Sequence, residues 1–211
     1  MIIFSEASAD HQNEDAVRVI EATQSPGCWL GAVTDGQGGC PGGAKAAQLA
    51  CETVIEAANE SPSGFPVDPS FWRALFARVD HAVQADFDAG LTSLVAFCVK
   101  DGQVYGASCG DSAAYLCLAR DYVKNLTSGQ DKNPQIGSGM TSSAYFISPT
   151  VKPWSLLVMT DGVWKYVGWD RIEEMLKRVW GEELKNELVA AGRLPGSGKY
   201  PDDFSFALIE G

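Results

Sequence analysis

Five apolar runs of this chain begin or end on carboxylates, and that pattern restricts the folds open to it. Glu14 and Asp15 stand before "AVRVI" and Asp35 closes "WLGAVTDG". Asp111 closes "VYGASCGDS", Asp161 closes "LLVMTDGVW", and Asp202 and Asp203 stand before "FSFALI". Runs this short, rich in β-branched and aromatic residues and bounded by Gly, Asp and Ser, read as strands buried in a core. If their acidic ends lie at one edge of that core, the carboxylates converge.

Convergence has a chemical consequence. Carboxylates packed together disfavour one another's ionisation, and divalent cations remove that penalty. Oxygen donors select hard ions such as Mg²⁺ or Mn²⁺ over zinc. Two such ions about 3.5–4 Å apart can hold a water, lower its pKa and stabilise both oxygens of an in-line displacement, which suits phosphate-ester hydrolysis. Turn chemistry competes as an explanation, because Asp and Gly are also the residues that tight turns need. Spacing alone leaves the two readings about even.

The remaining sequence fills in the elements. "MIIFSEAS", "DAVRVIEA" and "CWLGAVTD" read as strands. Gly43 to Glu60 carries Ala46, Leu49, Ala50, Val54, Ala57 and Ala58 on one stripe and reads as an amphipathic helix. A Pro/Gly/Ser loop leads to a second helix with Trp72, Leu75, Phe76, Val79 and Val83 inward, capped by Asp68 or Ser70. "LTSLVAFCVKDGQVYGASCGDSAAYLCLA" gives two or three strands, with "KDGQ" a hairpin turn. "DYVKNLTSGQDKNPQIGSGMTSS" reads mostly as loop. "SAYFIS" and "WSLLVMTD" are strands, and a helix bearing Ile172, Met175, Leu176 and Val179 follows. Another helix covers Leu184 to Ala191, and "FSFALIE" is the last strand. Hairpin connections predict largely antiparallel sheets with helices outside. Residues 1–211 read as a single domain, since no linker divides them.

Composition excludes several classes. A net charge of −11 with no basic run argues against nucleic-acid binding. No apolar run approaches the roughly 20 residues of a membrane span. The N-terminus lacks the basic and apolar regions of a secretory signal, so Met1 reads as a true start and the expected location is the cytoplasm. The six cysteines form no CxxC pair, and Cys98, Cys109 and Cys117 sit inside apolar runs. They are expected to be free thiols in a reducing compartment.

Taken in order, "NEDA", "VTDGQGG", "LTSLVAFCV", "ASCGDSAAYL", "LLVMTDGVW" and "DDFSFALI" resemble the motifs of the metal-dependent type 2C protein serine/threonine phosphatases, over nearly the whole chain. The resemblance implies an α+β fold, a four-layer α/β/β/α sandwich of two largely antiparallel sheets flanked by helices. It implies two Mg²⁺ or Mn²⁺ ions, and a third held more weakly. By position, Asp35 would bridge the two ions and Gly36 would offer its carbonyl. Asp161 and Asp202 would hold the first ion, and Glu14 the second, with Asp15 on its water shell. Asp111 would join Asp161 at the third. Asp35, Asp161 and Asp202 would be the residues catalysis depends on. The reaction would be attack of a metal-activated water on phosphoserine or phosphothreonine in a phosphoprotein, with no phospho-enzyme. No nucleic acid or membrane partner is implied, and a monomer is expected. The glycines after Asp35 would let the backbone approach the ion, and the helix starting near Gly43 would bring its positive end nearby.

Three positions and one stretch depart from the family pattern. Asp10 stands where the family commonly has a phosphate-binding Arg, and an acid cannot make that bidentate contact. His11, beside it, is the substitute for substrate binding if protonated. Lys165 takes the place of an Asp and reads as a surface residue, the alternative being reach to the phosphate. Asp203 replaces an Asn. The stretch that would form the family's flap is short, with Gln130 to Ser143 allowing only a small loop. Two alternatives to an active protein phosphatase follow: a pseudophosphatase or regulatory binding module lacking the Arg, and a small-molecule phosphoesterase.

Overall fold

Strands that are apolar on both faces need cover on both faces, and the chain supplies it by stacking two sheets between helices. The computed structural model describes residues 1–8 and 12–211; the expectations for Asp10 and His11 lie outside the described residues. One sheet holds β1 (Ile2–Glu6), β10 (Phe204–Glu210), β9 (Trp154–Met159), β6 (Ala113–Leu118) and β7 (Tyr122–Asn125), in that spatial order. The other holds β2 (Asp15–Glu21), β3 (Trp29–Asp35), β4 (Leu94–Lys100), β5 (Gln103–Cys109) and β8 (Ala144–Pro149). Neighbouring strands in both sheets are antiparallel. The expected four-layer α+β sandwich is the fold observed.

Alternation along each strand divides the core into layers. In β3, Val33 points into the layer between the sheets, with Val95, Phe97, Leu116, Val158 and Ile209. Its neighbours Leu30 and Ala32 face α1 (Gly43–Glu60) and α2 (Pro69–Gln84), packing with Ala50, Val54, Trp72 and Phe76. The outer face of the first sheet packs Leu157, Met159, Phe204 and Phe206 against α3 (Asp161–Val167), α4 (Trp169–Arg178) and α5 (Gly181–Gly192). Small residues on α1 bring its backbone close to β3, while the larger ones of α2 fill the outer flank. Asp68 caps α2, its carboxylate accepting from the Ser70 amide at 2.9 Å.

The "KDGQ" turn joins β4 to β5 as expected. Lys100 pairs with Gln103, and Asp101 and Gly102 take φ of 49° and 72°, the left-handed pair that a two-residue hairpin needs. The segment expected to be mostly loop is so, apart from β7, a short, half-buried edge strand paired with β6, whose sequence carries little apolar signal. One local expectation is corrected. The turn after "LLVMT" is the start of a helix, α3, which begins directly at the end of β9. In addition, β1 and β2 are consecutive in sequence but lie in opposite sheets. The six cysteines are free thiols, five of them buried. Among the described residues, no helix is long and apolar enough to cross a membrane.

Antiparallel pairing sets the start of each strand beside the end of its neighbour. The starts of β2, β4, β6 and β10 therefore share one end of the sandwich with the ends of β3, β5 and β9. All five acidic strand ends lie there.

Candidate metal centre

Each sheet contributes carboxylates to this end. Asp15 and Asp35 are direct partners in the β2–β3 register. Asp111 follows β5, Asp161 opens α3 after β9, and Asp202 and Asp203 precede β10. A hydrogen bond between the sheets, from Thr160 Oγ1 to Asp15 Oδ2 at 2.9 Å, ties the two sets together.

A cleft of about 390 Å³ opens here, lined by Glu14, Asp35, Asp111, Asp161, Asp202 and Asp203. Ligand atoms of Asp35, Asp111 and Asp161 all lie within 4.8 Å of one another. Asp15 is not among the lining residues; its carboxylate sits behind the cleft against Thr160. Gly36 does line it.

Electrostatics register the crowding. Burial pushes the Asp35 carboxyl up to about 10, and repulsion from Asp15, Asp161 and Asp111 adds to the effect. Burial also raises Asp15, to about 7; Asp203 and Asp161 add to this, while hydrogen bonds from Ser205 and Thr160 oppose it. Asp202 is raised for the same reasons, burial first and Asp161 next. Ionising this group costs free energy until a cation shares the charge. Neither His nor Cys lines the cleft among the described residues, and the donors are carboxylate and carbonyl oxygens. That donor set fits a hard divalent ion and not zinc.

The two Asp-Gly pairs have a packing role that the sequence did not reveal. A Cβ on Gly36 would overlap the backbone of Gly43, at the start of α1, and stand 2.8 Å from the Glu14 carbonyl oxygen. A Cβ on Gly162 would overlap the Asp203 carbonyl oxygen. Each glycine thus lets one acid-bearing segment lie directly against another: Asp35 against Glu14, and Asp161 against Asp202 and Asp203. The start of α1 is close by as expected, since a Cβ on Gly43 would be 3.1 Å from Glu14 Oε1.

Several polar residues that fix these positions carry no signal in a single sequence. Thr92 Oγ1 donates to the Asp35 carbonyl at 2.8 Å, the Ser93 amide donates to the same oxygen at 2.9 Å, and Ser93 Oγ accepts from the Asp35 amide at 3.2 Å. Ser93 and Ser112 share a hydroxyl–hydroxyl bond of 2.6 Å. Trp164 Nε1 donates to the Asp111 carbonyl at 2.9 Å, tying α3 to that turn. Asp203 accepts from the amides of Ser8 at 2.7 Å and Glu14 at 2.6 Å, so it secures the segment that presents Glu14.

The short loop after β7 also reaches the cleft. Thr92 forms an antiparallel bridge with Ile136, and Asp80 of α2 accepts from the Gly137 amide and Thr141 hydroxyl at 2.6 and 2.8 Å. Anchored in this way, the loop presents Lys132, Asn133 and Gln135 to the cleft. Lys165 is exposed, as expected, and it also lines the cleft, where its ammonium pairs with Asp161 one helical turn away.

Comparison with known proteins gives a consistent result. The family model for "Protein phosphatase 2C" matches residues 5–193. None of the curated proteins matches the chain. A bacterial serine phosphatase superposes with a TM-score of 0.77 at 19% identity, covering 99% of this chain and 96% of its own. The serine/threonine phosphatase Stp1 from Staphylococcus aureus gives 0.76 at 17% identity, covering 99% and 93%. RsbX, in a structure described as a complex with magnesium, gives 0.76 at 15% identity, covering 99% and 92%. At these identities the structural likeness establishes the shared fold.

Proposed function

The chain belongs to the protein phosphatase 2C family, and from that premise we propose that it hydrolyses phosphoserine and phosphothreonine in proteins, using two Mg²⁺ or Mn²⁺ ions held at the carboxylate cleft. The observation that carries this reading is the meeting of Asp35, Asp111 and Asp161 within 4.8 Å, from strand ends of both sheets. In this reading Asp35 and the Gly36 carbonyl would help hold both ions, Asp161 and Asp202 would hold the first, and Glu14 the second, with Asp15 on its water shell. Asp111 with Asp161 would offer a weaker third position. When bound, such ions supply a nucleophilic water at neutral pH and neutralise charge on the phosphoryl oxygens.

The chain's own groups prepare the site. Burial and the neighbouring carboxylates push the Asp35 carboxyl up to about 10, so its proton is held more tightly than an ordinary carboxyl's and a bound cation would compete with it. Thr92 and Ser93 hold the backbone of Asp35 in place, and Asp203 holds that of Glu14. Preorganisation of this kind removes reorganisation from the reaction step. A cleft with polar walls, open to solvent, suits a phosphorylated side chain presented by a protein surface.

The test is an assay of an aryl phosphate and a phosphopeptide with Mg²⁺, Mn²⁺ or EDTA, on the wild type, Asp35→Asn and Asp161→Asn. Turnover of the phosphopeptide that requires metal and is lost in both variants is expected. Metal binding without turnover of either substrate would overturn the reading.

A further inference from the structure

The cleft has a charge requirement that its carboxylates do not meet. A phosphate monoester enters as a dianion. Two divalent ions leave the six lining carboxylates still in excess by two negative charges. Lys132 and Lys165 are the cations lining the cleft among the described residues, and together they bring it to neutrality. The segment before Glu14 supplies no Lys or Arg.

Their placement is as informative as their charge. Lys132 Nζ lies 2.8 Å from Asp111 Oδ2, and the Lys165 ammonium contacts Asp161 Oδ2. Asp111 and Asp161 are themselves neighbours, so the two ammonium groups come from different elements to one region. The lysine side chains are 64% and 39% exposed, whereas the aspartates they touch are 17% and 13% exposed. The acids form the floor and the amines the mouth. An ion held by the floor would face an anion held at the mouth. Asn133 and Gln135 carry amide groups to the same cleft. The loop bearing Lys132 is anchored through Thr92–Ile136 and Asp80, and Lys165 is carried by α3, whose Trp164 is bonded to the Asp111 carbonyl.

We propose that Lys132 and Lys165 form the phosphate-binding clamp of this protein, exchanging their aspartate partners for the phosphoryl oxygens of the substrate once metal occupies the carboxylates. The proposal rests on the phosphatase reading above and names the groups that would grip its substrate. Ammonium–phosphate hydrogen bonds are of the charge-assisted, strong kind.

The experiment is calorimetric titration of inorganic phosphate into the Mg²⁺-loaded full-length protein, for the wild type, Lys132→Gln, Lys165→Gln and the double variant, with Mg²⁺ affinity measured on each. Each single change is expected to weaken phosphate binding on the order of 10-fold, the double change more, with Mg²⁺ affinity kept within about 3-fold. Lys165→Arg and Lys132→Arg should recover most of the loss. In the aryl phosphate assay, KM should rise more than kcat falls. Unchanged phosphate affinity in the double variant would overturn the clamp, as would loss of Mg²⁺ affinity in parallel with loss of phosphate. A wild type that binds Mg²⁺ but no phosphate would overturn it too. Phosphate binding is read without turnover, so a protein that grips phosphate through these lysines yet hydrolyses nothing would count against the phosphatase reading and leave the clamp standing.

Discussion

Replacing Asp35 by Asn should stabilise the metal-free protein. The folded chain holds this carboxyl at about 10, against an ordinary value of 3.8, through burial first and the neighbouring Asp15, Asp161 and Asp111 next. Between those limits the folded state keeps a proton that the unfolded state has released. Stability therefore falls as pH rises from about 4 toward 10. At pH 7.5 the unfolded carboxyl lies roughly 3.7 units below ambient pH, and each unit corresponds to about 1.4 kcal/mol, giving an upper limit of about 5 kcal/mol. Water entering the cleft lowers this to a working value of about 2 kcal/mol. Asn keeps the shape and carries no charge at any pH, so it avoids the penalty. For a chain of this size, that corresponds to a Tm about 4–8 °C higher. Thermal denaturation in EDTA at pH 7.5 measures the difference, and at pH 4.5 it should nearly vanish. With Mn²⁺ at about 100 times its Kd the order should reverse, because the wild type gains about 2.7 kcal/mol from binding. An Asp35→Asn protein that melts below the wild type in EDTA at pH 7.5 would refute the reasoning. So would one that gains as much from Mn²⁺ as the wild type.

Three further outcomes follow from the same geometry. Gly162→Ala forces a methyl group onto the Asp203 carbonyl and should destabilise by about 3 kcal/mol or more, read as a Tm drop of about 6 °C or more, with metal affinity reduced as Asp161 and Asp202 separate. Asp203→Asn leaves one acceptor oxygen for two amide donors; it should cost about 1–2 kcal/mol and speed hydrogen exchange at the amides of Ser8 and Glu14. Thr92→Val removes one of the two donors to the Asp35 carbonyl; a loss of about 1 kcal/mol in chemical denaturation, with weaker metal binding, is expected.

Legibility varied with the kind of signal. The helix over Gly43–Glu60 and the strands flanking "KDGQ" were readable because each carries its own periodicity or turn chemistry. Strand β7 was hidden because "YVKN" sits at a sheet edge with little to bury. Helix α3 was hidden because it has no side-chain cap and no loop before it, so the strand and the helix run together in sequence. The meeting of Asp35, Asp111 and Asp161 was legible through their repeated place at strand ends. Lys132 was not, and for Lys165 reach to the phosphate stood only as the alternative to a surface position, because a lysine in a loop or on a short helix looks the same whether it faces solvent or a cleft.

Periodicity and local chemistry are properties of neighbouring residues, and these the sequence determined alone: buried strands, an amphipathic helix, tight Gly turns, and acids at the strand ends. Which acids share a point in space was decided by tertiary structure. Antiparallel pairing set strand starts beside strand ends, and two sheets with the same end acidic brought Asp35 to Asp111 and Asp161 across the sandwich. The fold also decided what Gly36 and Gly162 are for, since the backbones they admit come from Gly43 and from Asp203, 41 residues downstream of Gly162. Charge balance in the cleft is likewise a property of the assembled whole, because electrostatic energy depends on distance through space and not on distance along the chain.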